Sequence, residues 1–201
     1  ICEVMRTVVA FDFDGTLTTR DTFPAFIRFS LGFWRFAVGL ALFAPMLVAM
    51  KGGFYPNWKA KQRVFSHFFK GMSVGRFDAY CEDFCRDRLP RMLRKQLLQT
   101  VREYTGGKYE LCVVSASIDR WIRPWAETAG FTRLLCTEVE TENGVLTGRF
   151  STPNCYGTEK VRRLQSAYPD RKEYRLIAYG DSRGDREMLS YADEHYFINY
   201  K

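Results

Sequence analysis

Histidine is scarce in this sequence, and its cysteines are not arranged in pairs. The only two histidines are His67 and His195, and none of the six cysteines belongs to a Cys-x-x-Cys motif. Structural zinc sites draw on such cysteine pairs and on histidine, so we expect no zinc site. No disulfide framework is visible either, which predicts a reducing, cytoplasmic compartment. The amino-terminal segment also lacks the long apolar run of a secretory signal peptide.

The composition is that of a folded protein with a basic balance. The 201 residues are 46% hydrophobic and 26% charged, which is enough to bury a core and unlike a disordered chain. The formal net charge of +7 favours anionic partners such as phosphate esters, nucleic acid or an acidic lipid surface. A solvated basic surface without any partner is the alternative.

Three apolar segments predict buried strands, at residues 7–13, 110–115 and 174–181. Continuous runs of this length are typical of parallel strands that are covered on both faces. The connecting segments carry helical spacing or turn signals, with helices predicted over 118–129, 158–168 and 184–192 and a hairpin over 134–150 around Asn143-Gly144. This alternation predicts an α/β fold, namely a Rossmann-like three-layer core with a mainly parallel sheet.

The segment from 22 to 104 has a different character. It shows no clear strand, many aromatic residues and helical spacing throughout. It is also far longer than an ordinary connection between a strand and a helix. We therefore predict an all-helical cap at 22–104, inserted after the first strand, and an α/β core made of 1–21 and 105–201.

An uncharged stretch lies inside the predicted cap at residues 36–50. It is shorter than the about 20 residues that span a bilayer, and Pro45 would kink a helix there. We favour a buried helix of the cap. The alternative is a helix that lies in a membrane surface or lines an acyl-chain groove, with Arg28, Arg35 and Lys51 contacting anionic head groups.

The first predicted strand ends in two aspartates, Asp12 and Asp14. Residues two apart on an extended segment point to the same side, so the two carboxylates would repel each other without a cation. Mg²⁺ is typically held by one or two carboxylates together with phosphate oxygens of a substrate, and Gly15 permits a sharp turn. Because open α/β sheets bind ligands at the carboxyl ends of their strands, this stretch predicts a Mg²⁺ and ligand site.

The other two predicted strands end in residues that suit the same site. Ser115-Ala116-Ser117 offers a hydroxyl and backbone N–H groups for a phosphate, although a helix N-cap is the commoner role of such a serine. Lys160 offers a positive charge, although a lone lysine on a helix is usually solvated. The segment GDSRGD contains Asp181 and Asp185, which suit a second source of carboxylates for the cation.

Together these motifs resemble the haloacid dehalogenase superfamily. They are DFDGTLT, a strand ending in serine, a lysine before an apolar strand, and GDSRGD, and they extend from residue 8 to residue 188. The insertion directly after the first motif is similar to the cap of the phosphoserine-phosphatase-like branch. The segments VVSASIDRWIRPWAE, LTGRF followed by NCYGTEKV, and YGDSRGDREML resemble bacterial phosphatases of that branch, including the phosphatidylglycerophosphatase C type.

The resemblance implies a role for each matched residue. Asp12 would be the nucleophile and a Mg²⁺ ligand. Asp14 would act as acid and base, with its backbone carbonyl on the metal ion. Ser115 and the backbone at Ala116 would bind the phosphoryl oxygens, and Lys160 would neutralise negative charge on the nucleophile and the phosphoryl group.

The resemblance also implies supporting positions. Asp181 would ligate Mg²⁺ directly, Asp185 would lie in or beside that shell, and Gly15 and Thr16 would support the first motif. Asp21 falls where phosphoserine phosphatases carry an acidic residue that holds the substrate amine, but we favour a role as the cap of the following helix. The Gly-Gly pair that often follows the serine in this family is replaced here, which leaves the shape of the phosphate-binding backbone open.

The function implied is a Mg²⁺-dependent phosphomonoesterase with an aspartyl-phosphate intermediate. The apolar stretch and the basic balance favour a phosphorylated lipid head group such as phosphatidylglycerophosphate. The alternatives are a small soluble phosphoester, such as phosphoserine or a sugar phosphate, and a non-catalytic binding protein on the same fold. Nucleic acid is not expected, because the basic segment 86–95 has no interleaved aromatics. We predict a cytoplasmic location, peripheral at the inner face of the membrane for a lipid substrate, and leave the oligomeric state open.

Overall fold

The protein is described by a computed structural model over residues 6–199. Residues 1–5, at the start of the predicted core and of the segment predicted to lack a signal peptide, lie outside this range, as do residues 200 and 201. The strands are β1 (Arg6–Phe11), β2 (Tyr109–Ile118), β3 (Arg133–Thr137), β4 (Val139–Glu142), β5 (Val145–Phe150), β6 (Tyr174–Gly180) and β7 (Glu194–Phe197). Five of them form one sheet in the order β3-β2-β1-β6-β7, and β4 and β5 form an antiparallel hairpin.

Helices cover the sheet and fill the long segment between β1 and β2. They are α1 (Thr22–Leu31), α2 (Phe33–Lys51), α3 (Asn57–Phe69), α4 (Val74–Asp83), α5 (Lys95–Tyr104), α6 (Arg123–Thr128), α7 (Thr158–Ala167) and α8 (Arg186–Tyr191). All neighbouring strands of the five-stranded sheet are parallel, so each connection between them must cross over the sheet.

The sheet is buried on both faces, because successive side chains of a strand point to opposite sides. On one face, Val9, Leu111 and Ile177 pack in a cluster with residues of α1, α3, α5 and α6. On the other face, Val8 and Leu176 pack with residues of α7 and α8. The predicted three-layer α/β core with a mainly parallel sheet is therefore confirmed.

The three predicted strands are confirmed as the central strands, but two other predictions need correction. The helix predicted over 118–129 is short, because β2 continues to Ile118 and α6 begins only at Arg123. The hairpin predicted over 134–150 is wrong in its first part. Those residues form β3, which pairs in parallel with β2 and places Cys136 opposite Ser115. The exposed edge strand β7 was missed, because its mixed residues carry no strand pattern.

The segment 22–104 is helical, as predicted, with no named strand inside it. The β4-β5 hairpin packs on this helical segment, and Gly71 N–H donates to the carbonyl of Leu146 at 2.8 Å. Helix α5 instead packs on the sheet, where the ring of Tyr104 lies edge-on to Phe11 with centroids 6.5 Å apart. The boundaries between core and cap stay a prediction.

Helix α2 contradicts the favoured prediction that this stretch is buried. Of its 19 residues only Gly39 is buried, whereas Trp34 is 79% exposed and Val48 is 70% exposed. Within residues 6–199, α2 is the one helix whose length and composition would allow it to cross a membrane, a test that core helices and signal sequences also pass. The helix, at 19 residues, is longer than the uncharged stretch 36–50 that it contains. An apolar composition does not specify whether the protein itself supplies the covering surface.

Candidate active site

A buried ion-paired group lies directly after β1. Asp12 is 5% exposed, and its N–H donates to the carbonyl of Tyr179 on the neighbouring β6 at 2.9 Å. Lys160 of α7 is 2% exposed, and its Nζ donates to Asp12 Oδ1 at 2.6 Å and to Asp185 Oδ1 at 2.5 Å. Lys160 is therefore not a solvated lysine, because its buried ammonium joins two carboxylates.

Three carboxylates gather at the carboxyl ends of β1 and β6. Asp12, Asp181 and Asp185 each offer one oxygen, and these oxygens lie within 4.8 Å of one another. Thr16 Oγ1 donates to Asp181 Oδ1 at 3.0 Å. Gly15 has a φ of 86°, and a Cβ at this position would lie 2.3 Å from Asp181 Oδ2. Only glycine therefore lets the turn after β1 approach Asp181 so closely.

The carboxylates of this group hold protons differently. Burial raises the pKa of Asp12 from 3.8 to about 7, although Lys160 acts in the opposite direction. Burial also raises the pKa of Asp181. Burial works in the same direction on Asp185, but Lys160 and hydrogen bonds from Ser182 outweigh it and lower the pKa of Asp185. The single ammonium of Lys160 thus faces three clustered carboxylates, and a hard divalent cation would supply the missing positive charge.

Asp14 is held at the start of α1 and does not belong to the three-carboxylate group. Its Oδ1 accepts a hydrogen bond from Thr22 N–H at 2.8 Å. Asp21 is the N-cap of α1, because its Oδ1 accepts from Phe23 N–H at 2.8 Å. Burial, and after it the charge of Asp21, raise the pKa of Asp14 to about 6. Asp14 can therefore gain or lose a proton close to neutral pH.

Ser115 and Ala116 lie inside β2, so the alternative role of Ser115 as a helix N-cap is wrong. The strand continues to Ile118, and for the same reason no helix start offers N–H groups to a phosphate here. Ser117 N–H donates to Ser115 Oγ at 3.2 Å, and Ser117 Oγ lies 2.8 Å from Thr22 Oγ1 of α1. The end of β2 is thereby tied to the helix that holds Asp14.

A cavity of about 430 Å³ begins at these residues and continues beneath the helical segment. Asp12, Asp14, Ser115, Ala116 and Lys160 lie at its polar end. The rest of its wall is mostly apolar and comes from α1, α2 and α3, including Ile27, Phe36, Leu40, Phe43, Val64 and Phe68. Helices α2 and α3 are in close contact beside it, because a Cβ at Gly39 would lie 2.2 Å from Phe68 Cζ.

Lys61 of α3 is a residue of this site that the sequence analysis missed. It is partly buried and lines the cavity, and its Nζ donates to the carbonyl of Ala116. A signal was present, because Lys61 lies three and seven residues before Val64 and Phe68 and so shares their apolar helix face. A cation on such a face is unusual unless it has a partner or a task.

The chain belongs to the haloacid dehalogenase-like hydrolases, whose family model matches residues 9–190. The match covers all the positions singled out at the site. The chain is 35% identical over 191 residues to the protein CicA of Caulobacter vibrioides, with 93% of this chain and 83% of that protein covered.

Solved structures share the fold at lower sequence identity. A protein of unknown function from Bordetella pertussis Tohama I superimposes with a TM-score of 0.84 at 21% identity, covering 96% of this chain and 89% of that one. A substrate-bound phosphoserine phosphatase superimposes with a TM-score of 0.66 at 16% identity, covering 96% and 86%. The chain therefore has a phosphoserine-phosphatase-like fold. The resemblance to the phosphatidylglycerophosphatase C type stays a prediction.

Proposed function

We propose that this hydrolase is a Mg²⁺-dependent phosphomonoesterase that forms an aspartyl phosphate on Asp12. The observation that carries the proposal is the position of Asp12, buried against Lys160 and beside Asp181 and Asp185 at the carboxyl end of a parallel sheet. Membership of the hydrolase family and the fold shared with phosphoserine phosphatase support it. A binding protein without catalysis would have no need for a nucleophile and an ammonium paired in this way.

The donor set fits Mg²⁺. The three clustered carboxylates are hard oxygen ligands, and burial raises the pKa of two of them, Asp12 and Asp181. We propose that Asp12, Asp181 and Asp185 hold the ion, together with the backbone carbonyl of Asp14. When bound, Mg²⁺ would supply positive charge that stabilises the phosphoryl oxygens.

The residues then divide the reaction between them. A carboxylate oxygen of Asp12 attacks phosphorus while the bond from phosphorus to the ester oxygen breaks, and Asp14 gives its proton to the leaving alkoxide. Asp14 next takes a proton from the water that attacks the phosphorylated Asp12, which releases inorganic phosphate. Lys160 favours the ionised form of Asp12 and orients its carboxylate. Ser115 Oγ and the backbone N–H of Ala116 donate to the phosphoryl oxygens.

The test is phosphate release from an aryl phosphate and from an alkyl phosphate by the wild-type protein, Asp12→Asn and Asp14→Asn, with Mg²⁺ and with EDTA. We expect EDTA and Asp12→Asn each to abolish turnover. Asp14→Asn should slow the alkyl ester more than the aryl ester, whose leaving group needs no proton. The matched control is Asp170→Asn, an exposed aspartate before β6. Wild-type turnover by Asp12→Asn would sink the assignment of the nucleophile.

For the substrate, we propose a phosphorylated lipid head group, such as phosphatidylglycerophosphate, as the first candidate. The apolar cavity that continues from the aspartates and the uncovered side chains of α2 support it. The protein would then be cytoplasmic and peripheral at the inner face of the membrane. A small soluble phosphoester such as phosphoserine is the second candidate, supported by the fold shared with phosphoserine phosphatase. A phosphate-release screen over both classes decides between them.

A further inference from the structure

We propose that Lys61 forms an anion subsite between the phosphate end and the apolar part of the cavity, selecting phosphomonoesters whose leaving group carries a second anionic group. This inference rests on the proposed phosphatase function and names the substrate feature that the cavity recognises. The second group is an oxyanion, either a carboxylate or a phosphodiester, separated from the ester oxygen by a few carbon atoms of the leaving group.

The first observation is where Lys61 lies. Its Nζ donates to the carbonyl of Ala116, the residue whose backbone N–H is proposed to face the phosphoryl group. The same ammonium lies 5.6 Å from the ring centroid of Phe23 at the start of α1. Along α3, Asn57 and Val64 also line the cavity, so Lys61 stands between an amide and an apolar side chain. The ammonium therefore lies where the polar and apolar parts of the cavity meet.

The second observation is that the charge of Lys61 is not matched. The other lysine of the cavity, Lys160, is bonded to Asp12 and Asp185. Lys61 forms no ion pair with a carboxylate of residues 6–199, and Asp14 and Asp21 each accept a hydrogen bond from a backbone N–H of α1. A lysine ammonium has three donors, and its one hydrogen-bond acceptor in the described part of the chain is a neutral carbonyl. Donors thus stay available for a ligand.

The third observation is that the ammonium of Lys61 lies inside the cavity rather than in solvent. Lysines usually keep the ammonium in water while the stem covers apolar surface, and Lys59 and Arg63 on the same helix are exposed in this way. Lys61 instead carries its charge into the cavity, where burial lowers its pKa despite the charges of Asp21 and Asp14. Placing a charge in such a site costs free energy unless an anion compensates it. A substrate oxyanion would provide that compensation.

The experiment compares two soluble probes that differ in one group. In 3-phosphoglycerate the leaving group carries a carboxylate, and in glycerol 3-phosphate a neutral hydroxymethyl group replaces it. The variants are Lys61→Met, Lys61→Gln and the conservative Lys61→Arg. Lys59→Met is the control, since Lys59 is an exposed lysine of the same helix that lies against the ring of Trp58. The melting temperature of each variant reports whether it folds.

We expect Lys61→Met and Lys61→Gln to lower kcat/KM for 3-phosphoglycerate by about tenfold or more, mainly through KM, as for the loss of a charge-assisted hydrogen bond. The loss for glycerol 3-phosphate should be clearly smaller than the loss for 3-phosphoglycerate, because that probe has no second charge to lose. Lys61→Arg should restore most of the preference, and Lys59→Met should keep it. An equal fall in kcat for both probes would overturn the proposal and assign Lys61 to positioning of the Ala116 backbone. Unchanged kinetics for both probes would overturn it as well.

A binding measurement separates failure of this inference from failure of the phosphatase function. Calorimetry of Asp12→Asn with Mg²⁺ measures the affinity for both probes without requiring turnover. We expect tighter binding of 3-phosphoglycerate, and loss of that difference in Asp12→Asn combined with Lys61→Met. If the preference for 3-phosphoglycerate is the same in Asp12→Asn and in the double variant, or if neither variant shows a preference, the subsite is rejected even when the phosphatase activity is established. A preserved difference without any turnover by wild type would reject the phosphatase function alone.

Discussion

Gly15 and Asp181 lie so close together that no other residue fits at position 15 without moving the carboxylate. A Cβ on Gly15 would lie 2.3 Å from Asp181 Oδ2, and φ at this residue is 86°. The turn after β1 and the loop after β6 are therefore placed against each other by the absence of a side chain. This contact brings carboxylates from two distant parts of the sequence to one point.

Replacing Gly15 by alanine should damage the metal site more than the fold. We expect Gly15→Ala to lower Mg²⁺-dependent turnover by about a hundredfold or more, because Asp181 must shift and misplaced groups lose transition-state stabilisation. Gly53→Ala is the matched control, since Gly53 has a φ of 80° and open space around it. Both variants should lose about 1–2 kcal/mol of unfolding free energy to the backbone conformation alone. Equal activity of the two variants would contradict the importance of the contact.

Removal of the buried lysine should destabilise the protein. We expect Lys160→Met to lower the free energy of unfolding by about 3 kcal/mol or more near pH 8 without Mg²⁺, because Asp12 and Asp185 would be left buried without their cation. The control on the same helix is Arg162→Met, because the exposed Arg162 forms an ion pair with Glu159 at the surface and its removal should change the free energy of unfolding little. Urea unfolding measures both. A small loss for Lys160→Met would mean that the two carboxylates are not held as the structure indicates.

The stabilising effect of Mg²⁺ should grow with pH. The pKa of Asp12 is raised from 3.8 to about 7 and that of Asp181 is raised as well, so the folded state without metal binds more protons than the unfolded state. For Asp12, this contribution to stability is highest at low pH and is lost as pH rises from about 4 to about 7, and the raised pKa of Asp181 acts in the same direction. Mg²⁺ must displace these protons, so its effect on the melting temperature should be larger at about pH 8 than at about pH 5.

Two single substitutions serve as controls for this experiment. Asp181→Asn should remove most of the increase in melting temperature on adding Mg²⁺, whereas the exposed Asp170→Asn should leave it unchanged. A Mg²⁺ effect that is independent of pH, or that survives in Asp181→Asn, would count against a metal ion held by these carboxylates. Fluorimetric melting curves at a series of pH values are sufficient to measure it.

The uncovered face of α2 should bind anionic membranes if the substrate is a lipid. We expect co-sedimentation with vesicles of phosphatidylcholine and phosphatidylglycerol at low salt, and weaker binding to phosphatidylcholine alone. Trp34→Glu and Val48→Glu should abolish binding while changing the free energy of unfolding by no more than about 0.5 kcal/mol, because both side chains are exposed. Gln165→Glu, an exposed change of the same charge on α7, should bind as wild type does. Absence of vesicle binding would favour the soluble substrate.

Sequence patterns predicted the centre of this fold well because its strands obey a simple rule. Val8, Val9, Ala10 and Phe11 are all buried, so β1 reads as one apolar run ending at Asp12. The edge strands are harder to predict, since β7 is exposed and the sequence of β3 has the pattern of the first arm of a hairpin. Whether an edge segment forms a strand depends more on the strand beside it in space than on its own residues.

The residues of the candidate site that belong to sequence motifs could be predicted. Those that join the site only through contacts between distant parts of the chain could not. Asp12, Asp14, Asp181 and Lys160 all line or adjoin one site, as their motifs suggested, although their chemical roles stay proposals. Lys61 is 55 residues from Ala116 in sequence, and nothing short of the folded chain shows that they touch. The prediction that residues 36–50 are buried is wrong for a related reason, because the composition of a helix does not specify what lies against it.

Helix α2 borders the cavity on one side, and its other side is exposed to the surroundings. Most of its side chains are therefore not buried in the core of the protein. The residues from 33 to 51 can therefore vary to suit the ligand in the cavity and the medium outside. A change of preferred substrate could be achieved along this one helix while the aspartates, the lysine and the sheet that carries them stay as they are.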